Sequence, residues 1–342
     1  MLSAHMAGEI RVGISGWRYP PWRKVFYPEG LVQARELEFA AKHFPSVEIN
    51  GSFYSLQKPE YYANWYERTP PGFVFAVKGG RFITHMKKLR DVDTALANFF
   101  ASGVLALRDK LGPILWQFPE QMPADLGRFE AFFAALPRNL REISTLARKH
   151  APLLRGRGFV GDAQLAGAQP VRHAVELRNP ASATPQLIEL LRRYGIAWVF
   201  ADTAGRWPYA EDLTSDFVYV RLHGDEALYV SGYSEPALQR WAQRIQHWSR
   251  GKEPADAVRL APRLAAGQRL RSRDVYVYFD NDVKVHAPFD ALALQRALGL
   301  PPWQGEATLA TRKHPNPDLE LELPRQLMPA LPRKRKIGDG SR

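Results

Sequence analysis

The chain contains no cysteine among its 342 residues. This excludes disulfide bonds and thiolate metal ligands, and it suits a cytoplasmic protein. No apolar run reaches the length of about 18 residues that a membrane-spanning helix needs, so we expect no membrane partner. Residues 1–8 lack the charged and then apolar pattern of a secretory signal peptide, and we expect a short disordered lead-in there.

The charge is strongly of one sign, at a formal +12, and part of it lies in the basic tail 332–336. A basic surface favours anionic partners, either nucleic acid or a small phosphorylated ligand. The alternative is a solvated basic surface with a mobile tail. The hydrophobic fraction of 45% indicates a globular chain, and the length fits one barrel-sized domain or two smaller ones.

Short apolar runs rich in β-formers recur eight times, and each ends in polar or charged residues. The runs are Ile10–Ser15, Val47–Asn50, Phe73–Lys78, Ile114–Gln117, Ala174–Arg178, Ala197–Asp202, Phe217–His223 and Val275–Asn281. Apolar runs of this kind are typical of parallel strands covered on both faces. Eight of them, with polar residues at the carboxyl ends, predict a single α/β domain, a (β/α)8 TIM-like barrel with its site at that end.

Helices are predicted between most of these strands. The aromatic-rich segment Pro59–Arg68 and the long apolar segment Val92–Leu111, which ends at Gly-Pro, are predicted to be helical. Three further helices are predicted from the capping residues Asp125, Thr184 and Ser234, and the helix after Thr184 is expected to stop at Gly195. Thr203–Ser215 is predicted to be a loop. Asn139–Arg172 is interpreted as an insertion between strands 4 and 5, helical near Arg141–His150 and followed by a glycine-rich loop. The barrel is expected over 9–300, followed by a Pro-rich and basic extension over 301–342.

Alternation along each strand places the polar strand-end residues in one cleft, because successive side chains point to opposite faces. The cleft is expected to hold Ser15, Glu48, Asn50, Lys78, Gln117, Glu176, Arg178, Asp202, Arg221, His223 and Asn281. Glu48 and Glu176 form a candidate acid/base pair, with His223 as a proton carrier or orienting group.

The cations Lys78, Arg178 and Arg221 are candidates to bind a phosphate or carboxylate. The amide side chains of Asn50, Gln117 and Asn281 would orient the substrate, as would Ser15. An alternative is a structural salt-bridge network that closes the barrel top. No cofactor is expected; a divalent metal ion on Glu48, Glu176, Asp202 and His223 is chemically possible, but the nearby cations argue against it.

The segment that follows the first strand is aromatic, with Trp17, Tyr19, Trp22, Phe26 and Tyr27. We expect Trp17 to contribute to substrate binding. The stretch as a whole has two open interpretations. It stacks a base or sugar ring, or it forms a hydrophobic lid on the barrel.

Several motifs together resemble the YecE-like family, also called domain of unknown function family 72. They are Gly13-x-Ser15-Gly16-Trp17, Glu48-x-Asn50-x-x-Phe53-Tyr54, Phe75-x-x-Lys78, Ile83-Thr84-His85, Leu115-x-Gln117-Phe118-Pro119, Glu176-x-Arg178, Tyr219-x-Arg221-x-His223-Gly224, Gly232-Tyr233, Trp241 and Phe279-x-Asn281. The resemblance implies a TIM-barrel fold and no particular activity. This chain departs from compact members in its insertion, its C-terminal extension and its Asp-Val-Lys-Val-His segment after Asn281.

The leading hypothesis is an enzyme, a hydrolase, isomerase or lyase, that acts on a small anionic or polyhydroxylated substrate such as a sugar phosphate or nucleotide-like compound. One alternative is a protein that binds or processes nucleic acid, supported by the charge and the aromatic stretch. Another is a non-catalytic ligand-binding barrel. The sequence does not specify the oligomeric state.

Overall fold

The fold is a closed barrel of eight parallel strands. The computed structural model describes residues 7–154, 158–159, 161, 169–265 and 269–305. The strands are β1 (Ile10–Ser15), β2 (Ser46–Ile49), β3 (Val74–Lys78), β4 (Leu111–Phe118), β5 (His173–Leu177), β6 (Ala197–Asp202), β7 (Phe217–Leu222) and β8 (Asp274–Phe279). They pair in chain order, and β1 pairs with β8 to close the ring. The predicted barrel is therefore confirmed.

The two faces of each strand carry different side chains. Inside the barrel lie aliphatic and aromatic side chains, namely Ala76, Leu115, Ala174, Ala197, Val199, Ala201, Phe217, Tyr219, Tyr276 and Tyr278. The alternate residues, such as Val12, Ile14 and Val277, pack outward in the larger core beneath the helices. Inward positions at the carboxyl ends of the strands therefore face one space, which we call the barrel mouth.

Nine α-helices are found in the described part of the chain. They are α1 (Glu36–His43), α2 (Gly51–Tyr54), α3 (Pro59–Glu67), α4 (Asp93–Ala101), α5 (Leu126–Ala135), α6 (Leu140–Ala147), α7 (Pro185–Tyr194), α8 (Glu235–Ser249) and α9 (His286–Ala297). The three predicted caps are confirmed, because the side chains of Asp125, Thr184 and Ser234 each accept a hydrogen bond from a backbone N–H in the first helical turn. None of these helices is long and apolar enough to cross a membrane.

The predicted helix Val92–Leu111 is wrong in its second half. Helix α4 ends at Ala101, a 3₁₀ segment follows over Val104–Lys110, and β4 already begins at Leu111. Between them Gly103 adopts φ +118°, and a Cβ there would lie 2.5 Å from the Cα of Pro59. The apolar residues continue across this break, so their pattern gave no sign of it.

The long β4–β5 connection contains α5 and α6, and α6 lies where the insertion was predicted to be helical. The loop prediction for Thr203–Ser215 is also confirmed, since no helix forms there. Residues 1–6, most of 155–168, and 306–342 lie outside the described residues. The predictions for the lead-in, the glycine-rich part of the insertion and most of the C-terminal extension concern those segments.

Candidate functional site

A fully buried arginine stands at the centre of the barrel mouth. Arg221 points inward from β7, and its guanidinium binds three carboxylates from three other strand ends. Its Nε donates to Glu48 Oε2 at 3.1 Å, its Nη1 to Glu176 Oε2 at 2.7 Å, and its Nη2 to Asp280 Oδ2 at 2.7 Å. We call these four residues the Arg221 network. The guanidinium has little capacity left for a further anion.

Glu48 has no oxygen left for a substrate. Its Oε1 accepts from Ser15 Oγ at 2.6 Å and from Arg221 Nη2 at 2.9 Å, while its Oε2 accepts from the hydroxyl of Tyr219 at 2.6 Å. The side chain is fully buried. Glu48 therefore holds Arg221 and Ser15 in place.

Glu176 lies between two arginines. Its Oε2 accepts from Arg221, and its Oε1 accepts from Arg178 Nε at 3.0 Å. Burial alone would raise the pKa of this carboxyl, but Arg221 and Arg178 hold the pKa well below its usual range. Glu176 is therefore ionised throughout the ordinary pH range.

His223 lies two residues beyond Arg221 on the same inward face. Its Nδ1 is 3.1 Å from Asp280 Oδ2, and its Nε2 is 3.9 Å from Glu176 Oε2. Burial, followed by the charge of Arg221, lowers the pKa of the imidazole. A neutral histidine between two carboxylates is placed to exchange a proton.

Lys78 ends β3 and points into the barrel mouth. Its side chain is 8% exposed, and its ammonium lies 4.5 Å from the ring centre of Phe53. No hydrogen-bond or ion-pair partner for this ammonium is found in the described ranges. Burial is the main reason that the pKa of Lys78 falls to about 8.

Arg178 follows β5, two strands away from Lys78 in the ring. Its guanidinium stacks on Trp207 at 3.6 Å, and its Nη2 donates to the hydroxyl of Tyr229 at 3.0 Å. Its Nη1 has no partner within the part of the chain that the structure describes. This nitrogen is therefore a donor without an acceptor, although Arg178 is paired with Glu176 through Nε, whereas the Lys78 ammonium lacks a counter-ion altogether.

Two amides also face the mouth. Asn50 donates from Nδ2 to Ser15 Oγ at 2.9 Å, and its buried Oδ1 accepts no hydrogen bond from any described group. Gln117 pairs in register with Glu176 across β4 and β5 and is nearly buried. The structure thus brings together Ser15, Glu48, Asn50, Lys78, Gln117, Glu176, Arg178, Arg221 and His223 of the predicted set.

Two predicted strand-end residues point away from the mouth. Asn281 donates to Asp290 Oδ2 at 2.8 Å and to the backbone oxygen of Ser231, and Asp202 accepts from the hydroxyl of Tyr233 at 3.1 Å. Both have the outward parity of their strands, since Tyr278 and Ala201 are inward. The inward residue after β8 is Asp280, which the sequence analysis missed although the same alternation identifies it.

Trp17 is the third residue that lies elsewhere. Its ring meets Trp65 edge to face at 5.3 Å, in the core between β1 and α3. Trp22, Phe26 and Tyr27 are buried as well, so these rings are not available to stack on a base or sugar. The hydrophobic interpretation of this aromatic stretch is the correct one for these residues. The aromatic side chains that contact Lys78 and Arg178 are Phe53 of α2 and, in later loops, Trp207 and Tyr229.

The carboxylates of the network surround a guanidinium. Within the described residues, no group of three or more His, Asp or Glu side chains is arranged to hold a metal ion. The four candidate ligands named from sequence do not form such a group, because Asp202 points outward to Tyr233.

Comparison with known proteins identifies a family whose model matches most of the chain. The model of the family described as "Protein of unknown function DUF72" matches residues 11–315. The UPF0759 protein YecE of Escherichia coli strain K12 is 33% identical over 118 residues, which are 34% of this chain and 39% of that protein. The UPF0759 protein YunF of Bacillus subtilis strain 168 is 30% identical over 115 residues, 32% of this chain and 40% of that protein. The chain thus spans about two-fifths of the length of these curated relatives.

Two solved structures share the fold. A DUF72 family protein from Thermotoga maritima MSB8 superposes with a TM-score of 0.60 and 25% identity, covering 85% of this chain and 99% of that one. A DUF72 family protein from Enterococcus faecalis V583 gives a TM-score of 0.59 at 17% identity, covering 86% of this chain and 100% of that one.

Proposed function

Because this chain belongs to the DUF72 family, which is described only as of unknown function, we propose its role from its own residues. We propose an enzyme that acts on a small anionic or polyhydroxylated substrate, such as a sugar phosphate or nucleotide-like compound, bound in the barrel mouth. The reaction would be a hydrolysis, an isomerisation or a lyase step.

The observation that carries this proposal is a pair of hydrogen-bond donors at the mouth that have no acceptor among the described residues. The Lys78 ammonium and Arg178 Nη1 lack partners among the described groups, although each belongs to a largely buried side chain. Burying a cation without a counter-ion is costly, and this applies to Lys78. The nearby carboxylates are already bound to Arg221 and Arg178, so an anionic group of the substrate is the natural partner for the Lys78 ammonium and for the remaining donor of Arg178.

The remaining groups suggest how such a substrate is handled. The unpaired Oδ1 of Asn50 can accept a substrate hydroxyl. Asp280 keeps 14% of its side chain exposed and contacts His223, so this pair is a candidate for proton transfer. Glu176 is the second carboxylate at the site. Glu48, first expected as half of an acid/base pair, serves instead to hold Arg221.

A thermal-shift series tests the proposal. Sugar phosphates, nucleotides, inorganic phosphate and unphosphorylated sugars are each added to the wild type, Lys78→Met and Arg178→Met. A ligand present at 100 times its dissociation constant adds about 2.7 kcal/mol to the free energy of unfolding. We expect a phosphate-bearing ligand to raise the Tm of the wild type and to lose most of this effect in both variants.

Lys252→Met is the matched control, because it removes the same charge from an exposed lysine in the connection between α8 and β8, at the opposite end of the barrel. It should respond as the wild type does. Equal stabilisation of the wild type and Lys78→Met would contradict the anion role of Lys78. The absence of any shift at millimolar concentrations would remove the support for a small anionic substrate.

A second candidate function is nucleic-acid binding across the mouth. Two exposed aromatic rings border it, Tyr54 and Phe82, and each lies beneath a cation: Arg81 at 5.7 Å and Lys87 at 5.8 Å. Aromatic rings beside cations are typical of surfaces that bind single strands. This pattern favours a strand that crosses the rim.

Binding of a fluorescent single-stranded oligonucleotide at 50 and 200 mM salt tests this second function. Phosphate contacts predict a steep loss of affinity with salt. The double variant Tyr54→Ala/Phe82→Ala should weaken binding, whereas Tyr61→Ala, an exposed tyrosine on α3, should not. No binding at low salt, or equal loss in both variants, would reject this function.

A further inference from the structure

We propose that Lys78 is a nucleophile that forms an imine with an aldehyde or ketone group of the substrate. This inference rests on the proposed function for two points, namely that the substrate occupies the barrel mouth and that it carries an anionic group. It assigns a substrate class: small oxo compounds that also carry a carboxylate or phosphate.

The surroundings of Lys78 differ from those of the other buried lysine in the described chain. Lys110 donates to the backbone oxygens of Tyr66 and Thr69, both at 2.6 Å, and to Thr69 Oγ1 at 3.1 Å. Its ammonium is thus fixed in the core as a donor. The Lys78 ammonium has no such acceptor and rests above the ring of Phe53. A lysine that serves only structure would be expected to have the partners that Lys110 has.

Charged groups face Lys78 from several elements. Arg221 of β7 opposes its protonation, while Glu48 of β2, Glu176 of β5 and Asp280 after β8 favour it. His85, in the π-helical turn after β3, also senses the charge of Lys78, and burial together with that charge lowers its pKa to about 4. The imidazole is therefore neutral and adds no opposing charge near neutral pH.

Burial decides the balance and brings the pKa of Lys78 to about 8. Compared with an ordinary lysine of pKa 10.5, the fraction of neutral amine at pH 7 is about 300 times larger. Lysines that are desolvated and lie near another cation are activated in this way. The carboxylates cannot restore the charge, because Arg221 and Arg178 already bind them.

The covalent step balances without a cofactor. The lone pair of the neutral Nζ attacks the carbonyl carbon, and the C=O π electrons move to oxygen, which takes a proton from the nitrogen. The carbinolamine then loses its oxygen as water, which carries away both N–H protons of the amine as the C=N bond forms. Arg178, at the end of β5, would hold the anionic group of the same substrate.

Borohydride trapping tests the inference with the full-length protein. Glyoxylate, pyruvate and dihydroxyacetone phosphate are each incubated with the protein, with and without sodium borohydride, and the modified lysine is located by peptide mass spectrometry. Hydride reduction of the imine leaves a secondary amine whose mass increases by that of the probe less one oxygen. We expect this adduct on Lys78, formed at least about tenfold faster than on Lys110 or Lys252 at pH 7.

Two further results are expected. The rate of adduct formation on Lys78 should rise with pH and level off above about 8, where its amine is neutral. Lys78→Arg should keep the fold, as judged by circular dichroism, and give no adduct at this position. If that variant does not fold, the selectivity for Lys78 over surface lysines in the wild type decides the question alone.

Modification spread over lysines in proportion to exposure, or no borohydride-dependent adduct on Lys78 with any probe, would overturn the inference. The proposed function fails by a different result. If phosphate-bearing ligands still raise the Tm while Lys78 gives no adduct, the covalent step is wrong and the anion site stands. If neither effect is seen, both are wrong.

Discussion

At the scale of single residues, the site holds six ionisable groups whose formal charges sum to zero. Three carboxylates, Glu48, Glu176 and Asp280, face three cations, Lys78, Arg178 and Arg221. Taking ions out of water costs several kcal/mol each unless geometry and hydrogen bonds compensate. Arg221 provides this compensation for all three carboxylates, which leaves Lys78 as the charge with no dedicated partner.

Arg221→Met should therefore destabilise the fold strongly, because it leaves three buried carboxylates without their shared cation. Breaking a buried ion pair costs roughly 3–5 kcal/mol. Urea unfolding of the purified variant measures this loss. Arg193→Met is the control, since it breaks an exposed pair with Glu130 and should cost less than about 1 kcal/mol. An unchanged free energy of unfolding in Arg221→Met would show that the network is not structural.

Most of this site could be predicted, because strand alternation fixes which side chains point inward. The error at β8 came from choosing the last amide of the run, Asn281, over its neighbour Asp280. Counting inward from Tyr276 and Tyr278 would have corrected it. The sequence does not predict which carboxylates hold Arg221 and which are available to a substrate. That depends on which oxygen of Glu48 contacts which nitrogen of Arg221, and the spacing of residues along the sequence carries no information about such contacts.

At the scale of elements, strands and capped helices were predicted with bounds close to those observed, since local chemistry determines both. The accepting side chains of Asp125, Thr184 and Ser234 mark helix starts whatever the rest of the fold does. The end of α4 was different. Gly103 ends it in the left-handed region and passes close to Pro59. This glycine is a local stop signal like Gly195, but the apolar residues that continue beyond it favoured a longer helix.

Helix α9 contains a buried carboxyl whose charge state should affect the free energy of unfolding. Asp290 of α9 accepts from Asn281 Nδ2 and from the backbone N–H of Tyr233, and burial raises its pKa to about 7. The folded state therefore holds this proton more tightly than the unfolded chain. The stability that the group contributes is present below pH 4 and is lost as pH rises to 7.

Asp290→Asn should remove this dependence, because the amide keeps an accepting oxygen and carries no charge. Relative to the wild type, the variant should gain stability as pH rises, with the largest gain above pH 7. Urea unfolding at pH 5 and pH 8 measures the difference. Asp91→Asn, at an exposed position, provides the control. A gain that is the same at both pH values would show that Asp290 does not titrate in this range.

At the scale of the whole molecule, one cluster of positive charge lies far along the chain from the site residues. The described residues close the barrel and end at residue 305, where Trp303 still donates from its indole to the backbone oxygen of Ala41. The basic run 332–336 lies beyond them. A small ligand in the mouth needs only the cations of the barrel, whereas nonspecific nucleic-acid binding responds to every cation of the molecule.

Truncation after Leu331 distinguishes binding of a small ligand, which needs only the cations of the barrel, from nonspecific nucleic-acid binding, which also uses the basic tail. It removes five Lys or Arg and one Asp, which lowers the formal charge from +12 to +8. The removed segment holds one apolar aliphatic side chain, Ile337, so we expect the Tm to stay within about a degree. Stabilisation by phosphate-bearing ligands should persist, while nonspecific oligonucleotide affinity should fall. A drop of several degrees would mean that the tail packs on the barrel, and an equal loss of both ligands would tie the tail to the mouth.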